Sequence, residues 1–558
     1  MPRIITPGLA YKHLRRYRQV VGILTKYGFG EFFGQIRIWE YINIEKRLLH
    51  HKGAFEHTST AQRMRLAMEE LGPTFVKLGQ MLSTRPDILP PNFITEFENL
   101  QNRVAPMPTE VARKIIESEL KKPISEIFSS FNDQPLAAAS LAQVHRATIK
   151  GDEVVVKVQR PNITQIIEVD LEIMQALAAL MERYVPGVYF INPVGLVREF
   201  SENIIKELDF RVESDNMQRY AKNFSDTTWV HVPKSYPENY CTKLVLVMEY
   251  IEGIPVSDID RLKNEGYDLC LIAKRGANIG LRSALEFGFF HADPHPGNLV
   301  IMPGNVICLL DYGMMGSLSK SYRERLGKMV YYIVNDDEKR TARTLLGLME
   351  SRDTVDAETL ETEVSNIIQQ YAHLTLRNVQ LGNVLFKLLH LLREHRIRFP
   401  TNLIWLSKAI TTIEDVAHRI DPDFEMLENA RPFVQQFVLK NLNPLGQVQE
   451  VYSTAMDSFD LLKDLPYDAG VILDQLKKGR VKIEFEHIGL EPLRGTLNNV
   501  TNRLAITIIL AAVLIASALI VVAGVPPKVG DIPVIGIAGF SLAAILAVSL
   551  IISMIVRK

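Results

Sequence analysis

Two short apolar runs, residues 298–302 and 306–310, flank Pro303-Gly304-Asn305, and this pattern leaves the chain little local choice but a β-hairpin. The polar residues at the ends of that hairpin make it informative. His291-Ala292-Asp293-Pro294-His295-Pro296-Gly297-Asn298 leads into it, and Asp311-Tyr312-Gly313 leaves it. A carboxylate (Asp293), a carboxamide five residues on (Asn298) and a second carboxylate thirteen residues beyond (Asp311) would then face one cleft. Phosphoryl transfer asks for such a set: one carboxylate beside the attacking oxygen, and two oxygen ligands holding Mg²⁺ on the phosphates. Asp293 suits the first role, and Asn298 with Asp311 the second. Any one of them alone reads as a turn or cap residue. The set at this spacing reads as a nucleotide site.

The same spacing occurs in protein kinases, and the chain upstream supplies further parts. Residues 135–147 include Ala137, Ala138, Ala139, Ser140, Leu141, Ala142, Gln143 and Val144; past Gly151-Asp152 comes Val154-Val155-Val156-Lys157-Val158-Gln159. A strand–turn–strand ending in a Lys among β-branched residues is how a kinase small lobe brings an ammonium to the phosphates. The Ala-rich stretch stands where kinases carry a Gly-rich loop. Ala has a Cβ and avoids positive φ, so this loop is expected to sit differently on the phosphates. Residues 244–251 read as a buried strand that puts Glu249 and Ile251 at the hinge under the adenine. A carboxylate is needed to hold Lys157. Chain distance suggests Glu168 or Glu172, while Glu207, Asp209 and Glu213 compete, and periodicity does not choose among them.

Bulk properties narrow the class. A chain of 558 residues exceeds one core and should form at least two domains. Lys and Arg number 63 against 64 Asp and Glu, with no basic stripe interleaved with aromatics, so nucleic acid is not expected as a partner. Cys241, Cys270 and Cys308 are scattered without CxxC pairs, which points to a reducing compartment and away from structural zinc. Near the C-terminus, residues 504–523 and 532–556 are uncharged apolar runs, each long enough for a bilayer, joined by a tight loop. Arg494 and Arg503 precede the first, and Arg557 and Lys558 follow the second, so the positive-inside rule places the body of the protein on the cytoplasmic side.

The first forty residues are basic up to Glu31, with apolar and aromatic residues interleaved. They fit a membrane-surface helix and a helix packed on the protein equally well, and no secretory signal is read there. From Thr58 a helical pattern meets Gly72-Pro73, then resumes through Lys77 and Gln80, which share a helical face. Taken alone that face is an ordinary solvated one. Residues 163–183, 194–220 and 260–289 read as helices, residues past 313 as a helical lobe, and 481–487 as a half-exposed strand.

Lys77-x-Gly79-Gln80, the Ala-rich loop, Val156-Lys157-Val158-Gln159-Arg160-Pro161, Glu207-x-Asp209, the His291–Asn298 block and Asp311-x-Gly313 together resemble the UbiB family of atypical kinase-like ATPases, which includes ADCK-type proteins. The resemblance runs over about residues 64–425. It implies an α+β, protein-kinase-like two-lobed fold with an N-terminal helical extension and a C-terminal two-helix transmembrane hairpin. The expected divisions are a basic N-terminal segment (1–55), a helical extension (56–134), a small lobe (135–255), a helical large lobe (256–435), a linker (436–500) and the hairpin (501–558). The resemblance implies ATP and Mg²⁺ as cofactors, and catalysis by Asp293 and Lys157. Membrane lipids or quinone precursors, and quinone-biosynthesis enzymes, are the implied partners. The implied role is support of ubiquinone or related quinone synthesis at the bacterial cytoplasmic membrane. The resemblance also implies that the Lys77–Gln80 helix lies across the active site, with Lys77 near Glu207 and Asp209, and that Glu213 partners Lys157.

Departures from ordinary kinases bear on the acceptor. Ala292 replaces the Arg that answers activation-loop phosphorylation, His295 stands where kinases place a Lys on the transferred phosphate, and no Ala-Pro-Glu follows Asp311. These favour an ATPase or a small-molecule or lipid kinase over a protein kinase, with a nucleotide-binding pseudokinase scaffold as the alternative from another class.

Overall fold

A computed structural model of the chain describes residues 7–30, 58–100, 105–185, 188, 191–236, 240–335, 337–348, 357–372, 381–395, 397, 400–441, 491–529 and 532–555. The chain divides into two compact units, Met1–Val448 and Gln449–Lys558.

The first unit holds an antiparallel sheet of β1 (Ser130–Phe131), β2 (Ala137–Ala138), β3 (Ala142–Ile149), β4 (Asp152–Gln159) and β6 (Val245–Glu249). Lys150 and Gly151 join β3 to β4 with φ of 50° and 97°, the doubly left-handed turn that suits a two-residue hairpin. Strand periodicity then sorts the side chains. Val154, Val156 and Val158 pack with Ile116, Ile127 and Phe128 on one face, which leaves Lys157 on the other, where Leu246 shares a core with Phe210 and Met217.

A second core joins α1 (Pro7–Leu24), α2 (Thr60–Leu71), α3 (Pro73–Leu82), α4 (Ile163–Tyr184) and α5 (Pro193–Glu207). Gly72, at φ 101°, ends α2, and Pro73 starts α3 at the position where its missing N–H costs nothing. The basic N-terminal helix is packed on the protein. Val20 is fully buried, and Arg16 reaches the buried Asp170 of α4 at 2.7 Å. The Thr74 hydroxyl donates to the same carboxylate at 2.7 Å. The open choice between membrane surface and protein surface falls, for the described part of this segment, to the protein.

Two expected helices are broken. Residues 194–220 form α5 and α6 (Phe210–Asn223), because Asp209 turns out of the helix and caps the second with its side chain. Residues 260–289 form Ile259–Asn264, a left-handed Gly266, α7 (Leu269–Leu281) and a wider turn to Gly288, after which β8 (Phe289–His291) begins. The hairpin is present as β9 (Leu299–Met302) and β10 (Val306–Leu309), with Gly304 and Asn305 left-handed in its turn. Short strands β5 (Val230–His231) and β7 (Ile254–Pro255) flank it, and β11 (Met315–Ser317) pairs with β8. Helices α8 (Lys320–Val334), α9 (Thr401–Ile420) and α10 (Met426–Asn441) contribute to the helical cores of the large lobe.

β1 joins the small-lobe sheet ahead of residue 135, and α10 continues across 435. The strand expected at 481–487 lies outside the described residues.

In the second unit α11 (Glu491–Ala523) and α12 (Val534–Ile555) pack on one another, α11 starting ten residues ahead of the expected hairpin boundary. Gly536 and Gly539 of α12 abut Val521 and Ser517 of α11, the close approach that small residues permit. Among the described residues, Leu504–Ala523 is the one helical stretch long and apolar enough to cross a bilayer; the apolar stretch of α12 covers Val534–Ala547.

Candidate nucleotide site

Lys157 sits on the cleft face of β4, and its ammonium lies 2.8 Å from both oxygens of Glu213 and 3.6 Å from Asp311. The Phe210 ring stands 5.3 Å beneath it. Glu213 belongs to the first turn of α6, so the Asp209 cap that starts this helix also places the carboxylate. Glu168 and Glu172, suggested by chain distance, are exposed on α4. The reason is packing: Ile163, Ile167, Leu171 and Met174 bury the other face of α4 in the extension core. Burial disfavours the charge of Lys157, but Glu213 and Asp311 outweigh it and raise the ammonium's pKa. Burial pushes the Glu213 carboxyl up to about 7, Lys157 opposing the rise and Asp311 adding to it. Burial also opposes the charge of Asp311, yet Lys157 and His291 hold it far below the usual carboxylate range.

His291 joins the two polar ends of the hairpin. The Asp293 N–H donates to its Nδ1 at 3.0 Å, so the ring proton lies on Nε2 and is given to the Asp311 carbonyl at 2.6 Å. Burial lowers the pKa of this ring and keeps that single tautomer. The Leu310 N–H donates to the Asn298 carbonyl at 2.9 Å, and the Gly313 N–H to Asp311 Oδ1 at 3.1 Å. Asn298 and Asp311 thus stand side by side at the open end of the paired strands. The Asp311 side chain keeps 46 % of its surface exposed despite its ion pair. One carboxamide and one accessible carboxylate are the oxygen donors that suit Mg²⁺ arriving on a nucleotide, which takes few protein ligands. Among the described residues no group of three or more His, Cys, Asp or Glu forms a cation cage.

Across the cleft, Lys77 of α3 is ion-paired with Glu207, whose side chain reaches the Gly313 turn. Burial disfavours the Lys77 charge, but Glu207 and Asp311 raise its pKa. Asp209 does not join this pair. Its carboxylate accepts from the Arg211 guanidinium at 2.6 Å and from the Arg211 N–H at the start of α6. Gln80 donates to the Leu100 carbonyl at 3.3 Å. Between them, Gly79 lets α3 lie close: a Cβ there would overlap Leu100 Cδ1 and stand 2.8 Å from Met68 Sδ. Gly79→Val should therefore cost about 1–3 kcal/mol by overpacking. Thermal unfolding checks this, and an unchanged melting temperature would show that the contact is loose.

The Ala-rich loop is tight and right-handed. Ala139 N–H donates to Ala142 O at 2.8 Å, and none of its residues is among those with positive φ. Arg160 ties it down through Ala139 O (2.9 Å) and Ala105 O (3.0 Å), which gives the motif's Arg a physical reason. Gln159 is likewise committed, to Leu208 O at 2.8 Å. Three of the loop's expected nucleotide contacts point inward. Leu141 joins the extension core, Gln143 is fully buried against the Met107 backbone and His145, and the buried Ser140 hydroxyl has no hydrogen-bond partner. Ala137 and Ala138 pair with Val144 and Gln143 as strand. At the hinge, the Glu249 carboxylate accepts from the Lys234 N–H and contacts His231 at 3.0 Å, and Ile251 follows the end of β6 half-buried.

Sequence reasoning missed Lys408. It lies on α9, 115 residues beyond Asp293, and its ammonium is 2.8 Å from Asp293 Oδ1. No local pattern marks it, since a Lys on an amphipathic helix is ordinary. Burial would raise the Asp293 pKa, but Lys408, His295 and His291 outweigh it and hold the carboxyl low.

Comparison with known proteins gives the chain a family. The ABC1 atypical kinase-like domain model matches residues 99–345, the UbiB helical domain model 364–425, and the ABC1/UbiB kinase-like C-terminal domain model 488–556. A Shewanella baltica protein named probable protein kinase UbiB is 33 % identical over 474 residues, covering 84 % of this chain and 86 % of its own. An uncharacterized protein of the hydrogenase 1 5′ region in Clostridium pasteurianum is 31 % identical over 544 residues, covering 97 % and 98 %. The solved Rv3197–erythromycin complex of Mycobacterium tuberculosis is 23 % identical, covering 66 % of this chain and 94 % of that one at a TM-score of 0.48. Matched by three family models and by relatives along most of their length, the chain belongs to the UbiB/ADCK family of atypical kinase-like proteins.

Proposed function

We propose that this protein is a membrane-anchored, Mg·ATP-dependent enzyme that hydrolyses ATP or phosphorylates a small lipid-like acceptor in support of quinone-lipid synthesis. The observation that supports it is the meeting of Lys157, Glu213 and Asp311 beside the Lys77–Glu207 pair, with His291 tying Asp311 to the backbone of Asp293. Asn298 and Asp311 would hold the metal, which supplies charge neutralisation on the phosphates when bound. Lys157, fixed by Glu213, orients the nucleotide, with the Ala137–Val144 loop above it and Glu249 and Ile251 at the adenine edge. Asp293 accepts the proton of the attacking hydroxyl as the new O–P bond forms and the bond to ADP breaks. The Lys77 helix occupies the side from which a folded protein substrate would approach, which supports a small acceptor. For anchoring, Leu504–Ala523 supplies one span and α12 the returning arm of a hairpin, with the catalytic body on the cytoplasmic face.

Phosphate release from Mg·ATP by the full-length protein, with and without liposomes, tests this reading. Release that rises with lipid is the expected result, and removal of residues 504–558 should abolish the rise. Tight nucleotide binding without release under either condition would assign the protein to the scaffold class instead.

A further inference from the structure

The loop that carries Asp293, residues 291–298, contains no Lys or Arg. His295, two residues on, spends Nδ1 accepting from the Gly297 N–H at 3.0 Å, a bond that caps the turn Pro296–Asn298. The positive charge beside Asp293 comes instead from α9, in the region matched by the UbiB helical domain. The helix is fixed there by packing. Leu403, Trp405, Leu406 and Ala409 are buried in the large-lobe core, and Leu406 and Ala409 line a cavity whose wall includes His291 and Pro294. Lys408 lies between two of these anchors and is held beside the loop.

We propose that Lys408 is the positioning residue for Asp293: the helical domain supplies in trans to the loop, though in the same chain, the ammonium that holds this carboxylate in register. The ammonium stands 2.8 Å from Oδ1, and each carboxylate oxygen carries two lone pairs, so the carboxylate keeps acceptor sites for the incoming proton. A carboxylate three-tenths exposed could otherwise turn among rotamers, and a proton acceptor must stay within hydrogen-bond reach of its donor. Lys408 also lies within electrostatic range of Glu98, which burial raises and Lys408 opposes. Glu98 ends the helix Pro91–Glu98, two residues before the Leu100 carbonyl that holds Gln80. The ammonium therefore stands where the extension, the catalytic loop and the helical domain meet. A helical domain displaced by even one side-chain length would leave Asp293 unheld, so the docking of α9 is a condition for turnover.

This rests on the proposed reading of the site as one that turns over ATP, and the test separates the two. Full-length wild type, Lys408→Met and Lys408→Arg are compared for phosphate release from Mg·ATP, for Mg·ADP affinity and for melting temperature. Expected are a fall in kcat of about 10–100-fold in Lys408→Met with KM and Mg·ADP affinity within twofold, and recovery of most of the loss in Lys408→Arg. Release by Lys408→Met within twofold of wild type would overturn the proposal while leaving the enzyme reading intact. Equal loss in Met and Arg variants with a lowered melting temperature would overturn it in favour of a purely structural Lys. If wild type itself releases no phosphate, the enzyme reading fails and Lys408 with it. The double variant Asp293→Asn/Lys408→Met adds a check independent of turnover: its melting temperature should match that of Lys408→Met, and simple additivity of the two shifts would show the groups uncoupled.

Discussion

Asp293→Asn should bind Mg·ATP as wild type does and release phosphate about 10²–10⁴-fold more slowly, the span that removal of a general base produces. The substitution keeps shape and hydrogen-bonding capacity, and Asp293 stands apart from the groups that would hold the nucleotide. Lys157, Glu213, Asp311 and Asn298 remain as they are, and the His291 bond to the residue-293 N–H is a backbone bond that the variant retains. Equilibrium nucleotide binding and single-turnover phosphate release measure the two halves. Turnover within threefold of wild type would remove Asp293 from its role. Weakened binding with equal loss of turnover would place it on the metal instead.

Lys157→Met should have the largest effect on the folded state. Glu213 is 5 % exposed, and its carboxylate is answered by the Lys157 ammonium through both oxygens. Removing one partner of a buried pair leaves the other uncompensated, at about 3–5 kcal/mol. The sign of the pH dependence follows. Glu213 already titrates at about 7 in the fold, above an unfolded value near 4.3, so the folded state prefers the protonated carboxyl. Without Lys157 that preference strengthens. The unfolded value is common to both chains, so the Glu213 part of the variant's deficit should be small below about 7 and widen as pH rises past it. Melting temperatures at pH 5.5 and 8.5 test this, and Lys157→Met/Glu213→Gln should recover most of the deficit at the higher pH. A deficit that ignores pH would show that Glu213 is not the stranded charge.

The hairpin was legible because both of its signals are local: β-branched and aliphatic runs of strand length, and a Pro-Gly-Asn turn between them. The same holds for the two strands that carry Lys157. What could not be read was which distant groups meet. Glu172 and Glu213 both sit on amphipathic helices, and only the packing of α4 on the extension, against α6 under the sheet, separates them. The family resemblance named Glu213; periodicity did not. It also set Lys77 near both Glu207 and Asp209; the ion pair is with Glu207, while the Asp209 carboxylate caps α6 and is gripped by Arg211. Leu141 and Gln143 show a related limit. A loop motif says that a stretch matters without saying which of its side chains face the ligand and which anchor the loop. Lys408 lies further still from legibility, since the contact spans more than a hundred residues and nothing near it in the chain is unusual.

The tie between Arg16 and Asp170 has a consequence for how this chain is made. The two residues are 154 positions apart, and the carboxylate is completely buried once they meet. At about 5–20 residues per second of synthesis, the N-terminal helix waits about 8–30 s after leaving the ribosome before its partner exists. α2 is made first, 55 positions after Arg16 at the Leu71 carbonyl that the same guanidinium meets, and its Met68 and Leu71 share a core with Val20; the α4 side of that core stays open for the rest of the interval. The N-terminal helix is thus seated in two stages, on α2 early and on α4 late, and the Arg16 guanidinium meets its buried carboxylate only in the second.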